Sequence, residues 1–205
     1  MQRYTVFLNE RAVTILQDIN NHPKAESEMV VVFDQKSNLR EIYKRFISDS
    51  DCSELKIFAG HKFDEACLSF NSLFRRVEAA GGIVKNEKNE TLFIKRFGRW
   101  DLPKGKLHKN ETIAECALRE VNEETGITGL SIGRQLASTH HIFTDRHGRE
   151  CIKETYWFAM LCKLPQQLTP QLEEDITEVR WFNSHEVADA VSNTYASLKP
   201  LMKEI

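Results

Sequence analysis

The sequence predicts an α+β protein, with a small α+β unit over residues 1–72 ahead of a larger α+β domain over residues 73–205. Three observations lead there. Short apolar runs of strand length alternate with segments whose apolar residues recur at helical spacing. No internal repeat, low-complexity tract or Pro/Gly/Ser-rich linker interrupts the chain, so the second unit starts where the pattern restarts, near Ser72 to Val77. In mid-chain, a loop broken by Pro103 and Gly105 runs straight into a helix with clear start and stop signals.

The elements follow in order. "YTVFLNERAVTIL" reads as two strands around a tight turn at Asn9 to Arg11, and Met29 to Phe33 as a short buried strand bounded by polar residues. Leu39, Ile42, Tyr43 and Phe46 give helical spacing across Ser37 to Phe46. Leu55 to Gly60 is a further strand and Phe63 to Leu73 a further helix. The second unit opens with "EAAGGIV", where Gly81 and Gly82 suit a bulge or a close backbone approach. Thr91 to Arg96 is the next strand, and "RWDLPKGKLHKNET" reads as a loop. A helix then spans Thr112 to Thr125, with Thr112 as N-cap, Glu115 completing a capping box and Gly126 as the left-handed stop. Strands over Gly129 to Phe143, Glu154 to Cys162 and Glu178 to Phe182, and helices from Ser184 and from Asn193, complete the chain.

Composition narrows the function. With 205 residues, 41% of them apolar and 28% charged, the chain has material for one substantial core or two small ones. The formal net charge of −2 gives no global basic field to hold nucleic acid or an anionic membrane, so a polyanion would have to be bound locally. Five cysteines, none in a close metal-ligand spacing, argue against a zinc ribbon and against a disulfide framework. The N-terminal residues lack a basic start followed by an apolar run, and no stretch approaches a membrane span, so the expected location is cytoplasmic.

The informative feature is the charge on the mid-chain helix. Glu120, Glu123 and Glu124 fall at i, i+3 and i+4 and therefore project from one face, opposite the apolar Ile113, Ala114, Ala117, Leu118 and Val121. Like charges so placed repel, and they sit in the C-terminal half, where the helix dipole disfavours anions. A solvated acidic face is the bland reading. A cation that compensates the cluster is the functional one, and hard divalent ions such as Mg²⁺ or Mn²⁺ prefer oxygen ligands.

The same residues carry a resemblance. Gly105, Glu111 and "REVNEETGI" from Arg119 to Ile127 resemble the box of the Nudix hydrolases, G-x5-E-x7-R-E-U-x-E-E-x-G-U with U apolar, and every defined position is filled. Residues 1 to about 70 lie outside it. The resemblance implies a Nudix-type α/β/α sandwich with a mixed sheet. It also implies metal-dependent hydrolysis of a pyrophosphate bond in a nucleoside diphosphate-linked or polyphosphate substrate.

By the same resemblance Glu120, Glu123 and Glu124 are metal ligands, together with the Gly105 carbonyl. Glu111 supports the site, and Arg119 holds the carboxylates by charge-assisted hydrogen bonds. The general base is Glu174, preferred over Glu173 and Asp175, with Glu123 or Glu120 as alternatives. Among the cations flanking the box, Lys104, Lys106 and Arg96 are the candidates for substrate phosphate, and His141 is a candidate for the pocket wall beside His140 and Tyr156. Phe97 and Trp100 read as core rather than as stacking surfaces. "WDLPKGKL" is similar to the loop of the family's dinucleoside-polyphosphate and diphosphoinositol-polyphosphate hydrolases.

Two subgroup marks are missing. No four-cysteine zinc site precedes the box, and no proline stands near Phe143. The competing class is a nucleotide-sensing regulator that uses a Nudix pocket without catalysis, but the intact box and the short stretch after Ser184 argue against it. The expected partner is a phosphorylated small molecule. Neither a membrane nor nucleic acid is expected, and self-association into a homodimer stays open.

Overall fold

The computed structural model describes residues 2–18, 26–163 and 166–205. In chain order the strands are β1 (Arg3–Leu8), β2 (Arg11–Leu16), β3 (Glu28–Val32), β4 (Glu54–Phe58), β5 (Arg75–Asn86), β6 (Thr91–Arg96), β7 (Arg99–Asp101), β8 (Lys104–Lys106), β9 (Ser131–Gln135), β10 (Thr139–Thr144), β11 (Glu150–Cys162) and β12 (Ile176–Phe182). The α-helices are α1 (Leu39–Ser48), α2 (Phe63–Asn71), α3 (Ile113–Thr125) and α4 (Val187–Ser192).

By contacts the chain forms two compact units. One comprises Met1–Arg76 with His140–Lys153, the other Val77–Thr139 with Glu154–Ile205. This division differs from a single cut at residue 72, for a reason that local sequence does not carry. β10 pairs in parallel with β1, Val6 opposite His140 and Phe7 opposite His141, so a segment far along the chain belongs with the first unit.

In the first unit β1 and β2 form the expected hairpin, with Asn9 at φ 54° in its turn. β4 lies parallel to both β2 and β3. α1 and α2 cover one sheet face through Tyr43, Phe46 and Phe70, with Phe74 just beyond α2, and these pack against Val13, Ile15, Leu55 and Ile57. Arg11 donates to the Ile47 and Asp49 carbonyls at the C-terminal end of α1, placing a cation where the helix dipole favours one.

The second unit is an α/β/α sandwich. β5 pairs with β6, and β6 with β12, antiparallel in both cases. One face packs Ala80, Val84, Leu92 and Met160 against Cys116, Ala117 and Val121 of α3. The other packs Ile83, Phe93 and Trp157 against Ala190 of α4 and against Leu198 and Leu201, which belong to a 3-10 segment rather than to the second terminal helix expected from Asn193. The close approach expected at the paired glycines is present: a Cβ on Gly82 would lie 2.6 Å from Met160 Sδ and 3.2 Å from Val121 Cγ2.

Two element expectations are corrected. The segment 99–112 is not wholly loop, because β7 pairs with β6 and β8 with β5, with Ala80 opposite Gly105. Gly129 to Phe143 is not one strand. β9 pairs with β11, while β10 joins the first unit, and the chain breaks at Leu136 to Ser138 to serve both.

Candidate active site

α3 carries the box, and its ends are fixed by local chemistry. Thr112 Oγ1 accepts from the Glu115 N–H at 3.2 Å, while the Glu115 carboxylate accepts from the Thr112 N–H at 2.8 Å. Gly126 closes the helix at φ 76°, its N–H reaching the Asn122 carbonyl. With the helix so placed, Glu120 and Glu124 are buried and Glu123 is exposed.

The acidic cluster is tied together by one guanidinium. Arg119 Nε and Nη2 donate to the two oxygens of Glu111 at 2.7 and 2.9 Å, a bidentate pair. Its Nη1 donates to Glu120 at 2.7 Å and to Glu123 at 2.9 Å, and Nη2 also reaches the Lys106 carbonyl at 3.1 Å. The clasp holds the Glu111 carboxyl far below its ordinary range, at about 2. Glu120 shifts the other way, because burial outweighs the help from Arg119.

Glu124 is the most constrained carboxylate. It is fully buried, and one oxygen accepts from the Lys104 backbone N–H at 2.9 Å. The other oxygen, Oε1, has no hydrogen-bond partner. Desolvation, opposed by the Lys104 charge, pushes its carboxyl up to about 7. Gly105 lies against Glu120, since a Cβ there would lie 2.0 Å from Glu120 Oε2 and would displace that carboxylate. The Gly105 carbonyl accepts from Cys116 Sγ at 3.7 Å, and burial pushes that thiol up to about 12, which leaves it inert.

Several sequence candidates come together here. Arg96 lies beside Glu174, Nη2 to Oε2 at 3.1 Å, and Arg96 acts electrostatically on Glu124 as Glu174 does on Glu120. The Arg96 Nε is buried without a partner. Other candidates are placed differently. The Lys104 ammonium is paired with buried Asp101 at 2.5 Å instead of reaching outward. Lys106 is exposed. His141 lies in β10 of the first unit, its ring stacked on Phe143 at 6.0 Å, and so is not on the unit that carries the box. Tyr156 is on the box unit, its hydroxyl 3.4 Å from Glu78.

The sequence reading missed two neighbours of the site. Asp101 anchors Lys104 and is buried, but strand alternation puts a lone acid between Trp100 and Leu102 on the face opposite those two apolar residues, so its burial was not legible. Tyr195 donates its hydroxyl to the Arg96 carbonyl at 3.3 Å and receives the Arg99 guanidinium over its ring at 5.4 Å. Nothing local could have indicated a contact across 99 residues.

A family model, the NUDIX domain, matches residues 75–204. The chain belongs to the Nudix family. Among relatives of this Nudix chain, the mRNA-decapping protein g5R of African swine fever virus is 31% identical over 112 residues, which cover 50% of this chain and 44% of the viral protein. The mRNA-decapping enzyme subunit 2 of Arabidopsis thaliana is 28% identical over 185 residues, 86% of this chain and 44% of that protein. The chain thus spans under half the length of these relatives. The crystal structure of a MutT protein from Methanosarcina mazei Go1 matches with TM-score 0.51 at 22% identity, covering 64% of this chain and 93% of that one, and shares the Nudix fold.

Nudix proteins generally depend on divalent metal, and the donor set here fits such an ion. Three carboxylates and a backbone carbonyl are hard oxygen donors, and the unpartnered Glu124 Oε1 is a buried polar atom that a cation would satisfy. Among the described residues, no three His, Cys, Asp or Glu side chains already converge as a cation cage; Arg119 bridges Glu120 and Glu123. No helix among the described residues is long and apolar enough to cross a membrane.

Proposed function

We propose that the chain is a metal-dependent pyrophosphohydrolase acting on a phosphoanhydride bond in a nucleoside diphosphate-linked or polyphosphate substrate. The observation that carries this reading is the buried Glu124 carboxylate with an unsatisfied oxygen, beside Glu120 and Glu123 on one helix face. Removing a charge from water without a partner costs several kcal/mol, and a divalent cation offsets that cost. Glu120, Glu123, Glu124 and the Gly105 carbonyl would hold Mg²⁺ or Mn²⁺. Bound there, such an ion would neutralise phosphate oxygens and acidify a water.

The chain's own residues divide the remaining tasks. Arg119 fixes the carboxylates through Glu111, so their geometry is set before substrate arrives. Arg96 offers guanidinium nitrogens to a phosphate oxygen. Glu174 Oε2, now paired with Arg96, accepts the proton of the attacking water once the phosphate has taken Arg96. Lys104 keeps a positioning role through its backbone N–H on Glu124, with Lys106 as the exposed cation at the rim. The first unit acts as an accessory module.

Two relatives are named for mRNA decapping, so RNA 5′ ends belong among the substrates to test, although the net charge argues against an extended nucleic-acid surface. The test is turnover of dinucleoside polyphosphates, ADP-ribose, deoxynucleoside triphosphates, diphosphoinositol polyphosphates and capped or triphosphorylated RNA, with Mg²⁺ or Mn²⁺. Glu123→Gln should lower the rate at least about 100-fold, roughly 3 kcal/mol of barrier. Equal turnover in the variant rejects the ligand assignment. If the parent cleaves none of the panel, the non-catalytic nucleotide sensor replaces the hydrolase.

A further inference from the structure

One aromatic side chain defies its local sequence. Phe97, in "KRFGRW", reads as core, yet it is 67% exposed, while Trp100 three residues later packs edge-on against Phe182 at 4.7 Å and belongs to the core. The backbone explains the difference. Phe97 itself takes φ 49° and Gly98 φ 77°, a two-residue left-handed turn between β6 and β7 that throws the ring outward. For a bulky residue this conformation is unfavourable, and it leaves the ring two-thirds exposed.

The surroundings supply a reason for both. The Arg96 guanidinium carbon lies 5.4 Å from the Phe97 ring centroid. Arg96 in turn contacts Glu174 and acts electrostatically on Glu124. Lys95 lies over Trp100 and Arg99 over Tyr195 on the same hairpin. An exposed aromatic plane joined by one arginine to an acidic, cation-ready cluster matches a ligand with a flat π-system next to a phosphate chain. A nucleotide has both parts, whereas an inorganic polyphosphate or a phosphorylated polyol lacks the π-system.

We propose that the open face of Phe97 is a stacking platform for a nucleobase of the substrate, with Arg96, which lies over the ring's other face, taking the adjoining phosphate. The proposal deepens the hydrolase reading and rests on it for the substrate class, but base binding and cleavage are separable in experiment. The base arises from a free nucleotide or from the first residue of an RNA 5′ end, and the ligands below distinguish these.

Dissociation constants are measured with chelator present for ADP, a 5′-triphosphate RNA hexamer and inorganic tripolyphosphate, using the parent, Phe97→Ala, Phe97→Leu and Phe97→Trp. Stacking contributes about 1–3 kcal/mol per base, so Phe97→Ala should weaken one or both base-bearing ligands by roughly 5- to 150-fold. Tripolyphosphate should stay within about twofold. Phe97→Trp should restore binding and Phe97→Leu, apolar but without a π-face, should not. A loss with ADP marks a free-nucleotide site, and a loss confined to the hexamer marks an RNA 5′ end. The platform is overturned if the parent binds tripolyphosphate as tightly as both base-bearing ligands, if Phe97→Ala leaves both unchanged, or if Phe97→Leu restores binding fully. A parent that binds bases through Phe97 but hydrolyses nothing refutes the hydrolase reading and leaves the platform standing.

Discussion

A single guanidinium organises the acidic residues of this chain, and its clearest consequence lies in Glu111. Held by two Arg119 nitrogens, the Glu111 carboxyl titrates near 2 instead of 4.5 in the folded state. A carboxyl whose folded value is depressed adds stability above its unfolded value and loses it as pH falls toward the folded one. The Glu111 contribution is therefore whole above pH ~4.5 and disappears between about 4.5 and 2. Glu111→Gln should cost about 2 kcal/mol at neutral pH, the scale of a hydrogen bond to a charged group. It should also flatten the loss of stability on acidification. Urea unfolding at pH 6 and pH 3 checks this, and an unchanged pH dependence in the variant would show that the clasp contributes nothing. Arg119 and Glu111 were legible in sequence because the box spacing puts them together. Phe97 was not, since "RFG" reads apolar and only the positive φ of two consecutive residues turns the ring to solvent.

At the scale of elements, two glycines on neighbouring strands test different things. A methyl on Gly105 in β8 would meet the Glu120 carboxylate at 2.0 to 2.4 Å, the mobile end of a side chain, which can swing away. A methyl on Gly82 in β5 would meet Met160 Sδ at 2.6 Å and Val121 Cγ2 at 3.2 Å, inside a packed core. Gly105→Ala should keep its melting temperature within a few degrees and lose most activity, on the order of 100-fold, because a misplaced carboxylate is a misplaced ligand. Gly82→Ala should instead lose about 1–3 kcal/mol by overpacking. Calorimetry with turnover assays on both variants separates the effects, and a Gly105→Ala enzyme at full rate would mean that the position of Glu120 is unimportant. The elements most legible in sequence were the self-contained ones: the β1–β2 hairpin with its Asn9 turn, and α3, whose capping box and glycine stop are all local. Pairing partners were not legible. Nothing within residues 129 to 143 says that β9 joins β11 while β10, which carries His141, joins β1, because a strand's destination is a non-local choice.

For the whole molecule, the cost of assembling the box becomes measurable as stability. Folding buries Glu124 with one oxygen unsatisfied and draws Glu120 out of water beside it. Both are penalties that the packing of α3 against β5 and β11 must carry. An ion held by the folded chain alone stabilises it by RT ln(1 + [ion]/Kd), about 2.7 kcal/mol at a hundredfold excess over Kd. For a chain of this size that corresponds to a rise of roughly 5–10 °C in melting temperature. The shift should appear with Mn²⁺ or Mg²⁺ and reverse on adding chelator. Glu124→Gln, which keeps the shape and removes the charge, should start from a melting temperature at or above the metal-free parent, because it no longer buries a carboxylate whose desolvation Lys104 and Arg96 only partly offset, and should respond to either ion far less. Glu123→Gln removes a solvated carboxylate, so its starting point should stay near that of the parent while its response shrinks. If the parent gains nothing from either ion, the buried glutamate is a structural expense without a cation to offset it, and the acidic face of α3 is then a feature of the fold alone.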